Sequence, residues 1–244
     1  MFQIAAAVSL AKENNDEPVF DVINHDLPNQ GRKCHNYIKT IFRNLRFSSR
    51  LPLASAYREP HFHYSPIPYA PNMCLVGYFQ SEKYFDKYAT EIRTLFTVDP
   101  HTQAEIDRKY GEVLKEKPIA MHVRRGDYLK YSDVHPPCTL QYYRTAMDNF
   151  PENSAFLIVS DDIDWCRESF PDDNVVFVEN NEDIVDFYLI SQCFGIIISN
   201  SSFSWWAAWL SENGEKKIIA PKRWFGGQAA HDIRDLIPSR WKQI

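Results

Sequence analysis

At 244 residues the chain can bury a sizeable core in one or two domains, and 44% hydrophobic with 24% charged residues is an ordinary globular composition. The net charge is −5 with Lys and Arg scattered rather than striped, which excludes a duplex nucleic-acid binder and requires any bound anion to be gripped locally. The five cysteines (Cys34, Cys74, Cys138, Cys166, Cys193) include no CxxC pair, which argues against a zinc site or disulfide framework and for reduced thiols.

Taken in chain order, Met1–Lys12 reads as an Ala-rich buried helix, followed by a polar break at Glu13–Pro18 and a short strand near Val19–Val22. Residues Leu27–Pro71 read as irregular, with helix near Tyr37–Leu45. Leu75–Tyr78 reads as a strand, Ser81 as the N-cap of a helix over Lys83–Leu95, and Thr102–Glu116 as a second helix. From Lys117 the pattern becomes regular, dividing the chain into 1–116 and 117–244. Strands are predicted at Pro118–Val123, Ala155–Val159, Val175–Val178, Ile196–Ile198 and Lys217–Ala220. Helices are predicted at Leu140–Phe150, Ile163–Ser169, Ile184–Cys193 and Phe203–Leu210. Alternation of helices with continuous apolar strands predicts an α/β fold with a parallel sheet covered on both faces.

The longest apolar runs, such as Ile4–Leu10 and Phe203–Leu210, are far shorter than the ~18–20 residues of a membrane span. No secretory signal is read before the first helix, so a cytoplasmic enzyme is expected, with no more than peripheral membrane association. Polar residues fall just after the carboxyl ends of four strands. His122, Arg124, Arg125 and Asp127 follow the first, Ser160, Asp161 and Asp162 the second, Glu179 and Asn180 the third, and Ser199, Asn200, Ser201 and Ser202 the fourth. Ligands of open α/β sheets bind along that edge.

In the segment His122–Tyr128 (HVRRGDY) the two arginines offer forked donors suited to phosphate, and Gly126 permits a tight turn. A surface salt bridge between Arg125 and Asp127 is the ordinary alternative. In Ile198–Leu210 (ISNSSFSWWAAWL), Ser199–Ser202 lead into an apolar helix whose positive end suits an anion; plain capping is the alternative, and Trp205, Trp206 and Trp209 read as core. Together the two segments suggest a diphosphate held between loops. Asp161 and Asp162 suit hydrogen bonds to a base or ribose. Asp162–Asp164 mimics the DxD signature of metal-dependent glycosyltransferases, but Asp164 falls into the following helix and arginines neutralise phosphate without a cation. His61 and His63 lie on one side of a possible strand, a geometry able to hold metal, yet a structural role is favoured for want of further ligands. No GxGxxG, Walker loop, GxSxG or HExxH occurs, which weighs against dehydrogenase, epimerase, NTPase, hydrolase and metalloprotease readings.

HVRRGDY and ISNSSFSWWAAWL resemble the two signature motifs of glycosyltransferase family 11, the α-1,2-fucosyltransferases sharing an HxRRxD arginine motif. The likeness extends to Gly77–Phe85 (GYFQSEKYF), to Ser160–Asp162 and to Met1–Ala7, and so spans essentially the whole chain. It implies a GT-B-like fold of two Rossmann-like domains facing a cleft, the first incomplete because the usual opening strand and GGLGNQ turn do not precede Met1. Residues 1–116 are then the acceptor-side domain and 117–244 the GDP-fucose-binding domain. The implied reaction is inverting, metal-independent transfer of L-fucose from GDP-fucose to a galactose hydroxyl of an oligosaccharide or glycoconjugate in α-1,2 linkage, with no cofactor. The competing reading is an inactive or truncated nucleotide-sugar-binding protein of the same fold. The resemblance places Arg124 at the β-phosphate, His122 and Asp162 near guanine, and Ser199–Ser202 near the diphosphate and fucose. Arg125 assists Arg124. Asp127 is the first candidate for general base, ahead of Asp133 and Glu179, with an orienting role towards Arg125 as its alternative.

Overall fold

The structure is a computed structural model and describes residues 1–21, 35–51, 53–211, 216–229 and 231–244. It divides into two compact units, Met1–Asp99 with His231–Pro238, and Pro100–Ala230 with Ser239–Ile244. Val22 and the opening of the stretch read as irregular, Leu27–Cys34, lie outside the described residues.

The second unit contains α4 (Pro100–Lys115), β5 (Ile119–Val123), α5 (Leu140–Met147), β6 (Phe156–Ser160), α6 (Ile163–Ser169) and β7 (Val175–Val178). It continues with α7 (Asp183–Gln192), β8 (Gly195–Ile197), α8 (Ser202–Leu210), β9 (Ile218–Ala220) and β10 (Lys242–Gln243). The strands form one sheet in the order β10-β9-β8-β5-β6-β7, every pairing parallel. Every residue of β5, β8 and β9 is buried, as strands covered on both faces must be. On one face Ile119, Met121, Val123, Phe156 and Ile158 pack with Tyr143 and Ala146 of α5 and Cys166 of α6. On β5 the alternate residues Ala120 and His122 take the opposite face. There the His122 ring lies 5.3 Å from Phe203 of α8, which meets Phe187 of α7 at 5.4 Å. Trp205, Trp206 and Trp209 are buried, as expected of core.

The order of strands decides where the site lies. The chain steps from β5 outward to β6 and β7, then crosses back to β8 on the other side of β5 and steps outward to β9. Strands β5 and β8 therefore flank the reversal point, and loops leaving their carboxyl ends diverge around a crevice. Helix α4, placed by the sequence with the first region, packs on α7 of the second unit. Its Gln103 bonds Gln192 at 2.9 Å and its Lys109 donates to Asn181 Oδ1 at 2.7 Å.

The first unit holds α1 (Phe2–Glu13), β1 (Phe20–Asp21), α2 (His35–Lys39), β2 (Phe47–Ser48), β3 (Ser55–Arg58), β4 (Met73–Val76) and α3 (Ala89–Leu95). Among the described residues its strands form two separate parallel pairs, β1–β2 and β3–β4. Helix α1 buries Phe2, Ala5, Ala6, Val8 and Ala11, and its Gln3 amide donates to the Gly77 carbonyl at 2.7 Å. The segment His231–Pro238 is anchored by Asp235, which accepts the Tyr64 N–H at 3.1 Å and pairs with Lys83 at 2.5 Å.

Several expectations for this unit are corrected. The helix expected over Lys83–Leu95 is two 3-10 turns, Glu82–Tyr84 and Asp86–Tyr88, followed by α3. Phe85, fully buried between the turns with φ −145° and ψ 2°, interrupts the helical path. Ser81 does cap this run, its hydroxyl accepting the Lys83 N–H at 3.3 Å. The helix expected over Tyr37–Leu45 stops at Lys39 and continues as turns, with the Phe42 N–H on the Tyr37 carbonyl at 2.8 Å. Strands β2 and β3 run through the stretch read as irregular. No strand forms at His61–His63. Instead the two imidazoles stack at 4.8 Å, and His63 Nδ1 lies 3.6 Å from Asp232.

The strand expected to reach Tyr78 ends at Val76, and Glu59 is the reason. Its Oε2 accepts the Tyr78 N–H at 2.7 Å, both oxygens accept the Phe79 N–H at 3.0 Å, and Oε1 accepts the Tyr84 hydroxyl at 3.3 Å. Gly77 leaves room for this approach, since a Cβ there would collide with the Glu59 Cβ. Phe79 is thereby held at φ +53°, a left-handed conformation costing about 1–2 kcal/mol for a residue with a Cβ.

Candidate active site

Immediately beyond β5 the two arginines are gripped by three carboxylates. Arg124 Nη2 donates to Asp127 Oδ1 at 2.5 Å and Nη1 pairs with Asp161 Oδ2 at 2.8 Å, while the guanidinium sits 5.3 Å from the Tyr128 ring centre. Arg125 Nε donates to Asp162 Oδ2 at 3.0 Å, and its guanidinium lies 4.0 Å over Trp165. Asp161 serves both arginines, because its other oxygen accepts the Arg125 backbone N–H at 2.8 Å. A Cβ on Gly126 would approach Asp161 Oδ2 to 2.7 Å, so a larger residue there would push the carboxylate from its place against Arg124.

This arrangement revises the expected pairing, for Asp127 orients Arg124 and not Arg125. Asp161 and Asp162, expected at a base or ribose, also hold the guanidinium groups of Arg124 and Arg125. Asp162 additionally caps α6 by accepting the Trp165 N–H at 3.4 Å. Asp164 falls within α6, as the spacing indicated. A guanidinium carries five N–H donors in a planar fork, and the two Arg124 pairs engage two nitrogens, so the fork is aimed by protein while keeping donors for an anion.

On the other side of the reversal point, Ser199, Asn200 and Ser201 are buried and largely committed to protein. His122 Nδ1 lies 2.8 Å from Ser199 Oγ and 2.9 Å from Ser204 Oγ, which ties β5 to both β8 and α8. Ser201 Oγ caps α8 by accepting the Phe203 N–H at 3.3 Å. The Asn200 amide donates to the carbonyls of Pro136 and Trp224, each at 2.9 Å, and its Oδ1 accepts the Cys138 thiol at 3.5 Å. Asn200 thus fastens three loops together. Ser202, the first residue of α8, is exposed.

Tyr128 joins the two halves. Its ring lies under Arg124, its hydroxyl donates to the Asn200 carbonyl at 3.2 Å, and it stacks on His135, which meets Phe225. Burial, partly offset by the Arg124 charge, pushes the Tyr128 phenol up to about 12, so it stays protonated and donates at neutral pH. Cys138 is likewise pushed up by burial, to about 11, and remains a thiol. Of the remaining candidates, Glu179 is paired with Arg167 and Asp133 is exposed.

Sequence reasoning missed Tyr128, Trp165 and Ser204 as parts of the site. Tyr128 carried a signal in lying four residues beyond Arg124. Trp165 and Ser204 sit in helical segments where tryptophan and serine suit core and cap equally well. A further cluster lies beyond β7, where Asn181 Nδ2 donates to Asp186 at 2.8 Å and to the Tyr110 hydroxyl at 2.7 Å. Burial pushes the Asp186 carboxyl up to about 6. Among the described residues no group of three or more His, Cys, Asp or Glu is placed to hold a metal ion, and no helix is long and apolar enough to cross a membrane.

The chain is 35% identical over 182 residues to alpha-1,2-colitosyltransferase of Escherichia coli, covering 69% of this chain and 61% of that protein. It is 29% identical over 159 residues to galactoside alpha-(1,2)-fucosyltransferase 1 of Homo sapiens, covering 58% and 44% respectively. This chain therefore spans about three fifths or less of the length of these relatives. Among solved structures, alpha-1,6-fucosyltransferase NodZ soaked with GDP-fucose superposes with a TM-score of 0.50 at 16% identity, covering 86% of this chain and 87% of that one. The likeness shows a shared fold, the GT-B-type α/β architecture with parallel sheets. The family model for glycosyl transferase family 11 matches residues 35–243, taking in the arginine loop of β5, the aspartates beyond β6 and the serine-rich entry to α8. By that match the chain belongs to glycosyl transferase family 11.

Proposed function

We propose that this protein transfers L-fucose from GDP-fucose to a galactose hydroxyl of a glycan acceptor in α-1,2 linkage, with inversion and without a metal ion. The observation that carries the reading is Arg124, aimed by Asp127 and Asp161 at the carboxyl end of β5 beside the reversal point of the sheet. The relatives named for α-1,2 transfer and a neighbour soaked with GDP-fucose support the donor and the linkage.

In-line attack on the anomeric carbon builds positive charge on the sugar ring and negative charge on the departing diphosphate. A guanidinium already oriented by two carboxylates meets that charge without reorganising. Arg125, clamped by Asp162 and Trp165, supports the loop and adds positive potential. As the acceptor oxygen bonds to the anomeric carbon and the bond to GDP breaks, the hydroxyl proton passes to Asp127, whose carboxylate otherwise orients Arg124. The second unit then binds GDP-fucose, with His122 holding the β5–β8 crevice in shape, and the first unit takes the acceptor.

The test is GDP release and product formation from GDP-fucose and lactose, with EDTA present and the anomeric configuration read by NMR. Transfer that persists in EDTA and gives the α-1,2 product supports the reading. GDP binding without transfer would favour the inactive or truncated alternative. A second donor is favoured by the relative that is 35% identical and named for colitose, so GDP-activated colitose is the competing substrate in the same assay.

A further inference from the structure

We propose that Tyr78, Phe62 and His231 of the first unit form an aromatic platform on which one pyranose ring of the glycan acceptor stacks, and that Glu59 positions it. The proposal rests on the reading of the chain as a glycosyltransferase. Tyr78 and Phe79 are adjacent aromatics with opposite fates, Tyr78 being 61% exposed and Phe79 fully buried. Regular structure does not impose this split, since β4 has already ended at Val76. It is imposed by Glu59, which takes the Tyr78 and Phe79 N–H groups together and holds Phe79 in the left-handed region. Strain of this kind persists where surrounding contacts over-determine it, and here its result is a large ring held out of the core.

Two other segments, distant in sequence, bring rings to the same place. Phe62 lies 6.2 Å from the Tyr78 ring with the planes 52° apart, so the two rings form an angled wall, and the exposed His231 stacks on Phe62 at 4.7 Å with the planes 20° apart. His231 belongs to the segment that Asp235 anchors to Tyr64 and Lys83, so its position is also built. Beside the rings lies the exposed Asp232–Arg234 pair. Flat π faces bordered by charged hydrogen-bonding groups suit a ligand with an apolar C–H face and a rim of hydroxyls, which describes a pyranose. An aliphatic docking surface for another protein would lack both the ring planes and the charged rim.

The test uses lactose and the whole chain. Saturation-transfer NMR reads lactose binding directly, so it remains informative even if transfer itself is absent. Tyr78→Ala is expected to weaken lactose binding about tenfold, the scale of one ring contact, while Tyr78→Trp restores it. Glu59→Ala is expected to match Tyr78→Ala, with Glu59→Gln partly retained through its one carbonyl oxygen. In both series the Kd for GDP is expected to stay unchanged, which separates loss of the platform from loss of the nucleotide site, and thermal unfolding near wild type in Tyr78→Ala separates it from loss of the first unit's fold. If wild type transfers fucose, the same variants should raise KM for lactose and not KM for GDP-fucose. Unchanged lactose binding in Tyr78→Ala, or a dimer that dissociates on that substitution, would overturn the proposal.

Discussion

In the second unit a six-stranded parallel sheet gathers polar residues at one edge, whereas among the described residues the first unit holds two separate strand pairs and individual side chains fix the turns between them. Asp235 and Glu59 do for the first unit what ladder hydrogen bonds do for the second. Charge is also treated differently. At the edge of the sheet the carboxylates are held against arginines, while Glu59 accepts only neutral N–H and O–H groups. A sheet edge can therefore aim guanidinium groups from a rigid base, and a strand-poor unit relies on partly buried carboxylate acceptors for the turns it fixes.

Breaking the comparison at its strongest point means removing the aimed cation. Arg124→Ala is expected to lower turnover about 10²–10³-fold, roughly 3–4 kcal/mol, with circular dichroism and thermal unfolding near wild type. Turnover within a few-fold of wild type would remove Arg124 from the mechanism.

The next effect tests whether Asn200 is a fastener rather than a ligand. Asn200→Ala leaves the Pro136 and Trp224 carbonyls without their amide partner and is expected to cost about 2–4 kcal/mol in urea unfolding. Loss of activity with full stability would instead make it a substrate contact.

A smaller, pH-dependent effect belongs to Asp186. Its folded value of about 6 lies above the unfolded one, so the native protein binds more protons than the unfolded chain between about pH 4 and 6. Its contribution is thus most favourable at low pH and declines as pH rises through that window. Asp186→Asn, neutral throughout, is expected to flatten this slope and to stabilise the protein by about 1–3 kcal/mol at pH 7. An unchanged stability-versus-pH curve would show that the carboxyl is not held neutral.

The smallest contrast compares caps. Ser81→Ala and Ser201→Ala each remove one accepted N–H, and each is expected to cost about 1 kcal/mol in thermal unfolding. A much larger cost for Ser81 would show that the strand-poor unit depends on it for more than a single turn.

Much of the second unit was legible before any coordinates. Val175–Val178 and Ile163–Ser169 occur as read, and β5, β6, β8 and β9 shift by only a residue or so at their ends, because apolar strands alternating with helices leave a local signature; the exposed edge strand β10 carries no such run and was not read. Polar residues directly after such runs were recognisable as the sheet's working edge for the same reason. The first unit was less legible. Strand pairs as short as Phe20–Asp21 and Phe47–Ser48 have no period to detect, and Phe85 and Phe79 take conformations that their neighbours impose.

The amino-acid sequence by itself determined the sheet, its family and the residue types at its carboxyl edge, since hydrophobic period and local motif are written in consecutive residues. Only the tertiary structure decided that Asp127 faces Arg124, that Asn200 binds loops and that Tyr78 stands outward beside Phe62 and His231. The last two outcomes join groups 24 to about 170 positions apart, and even the Arg124–Asp127 pair, three residues apart, is completed by Asp161 from another strand end, so packing settles which donor meets which acceptor.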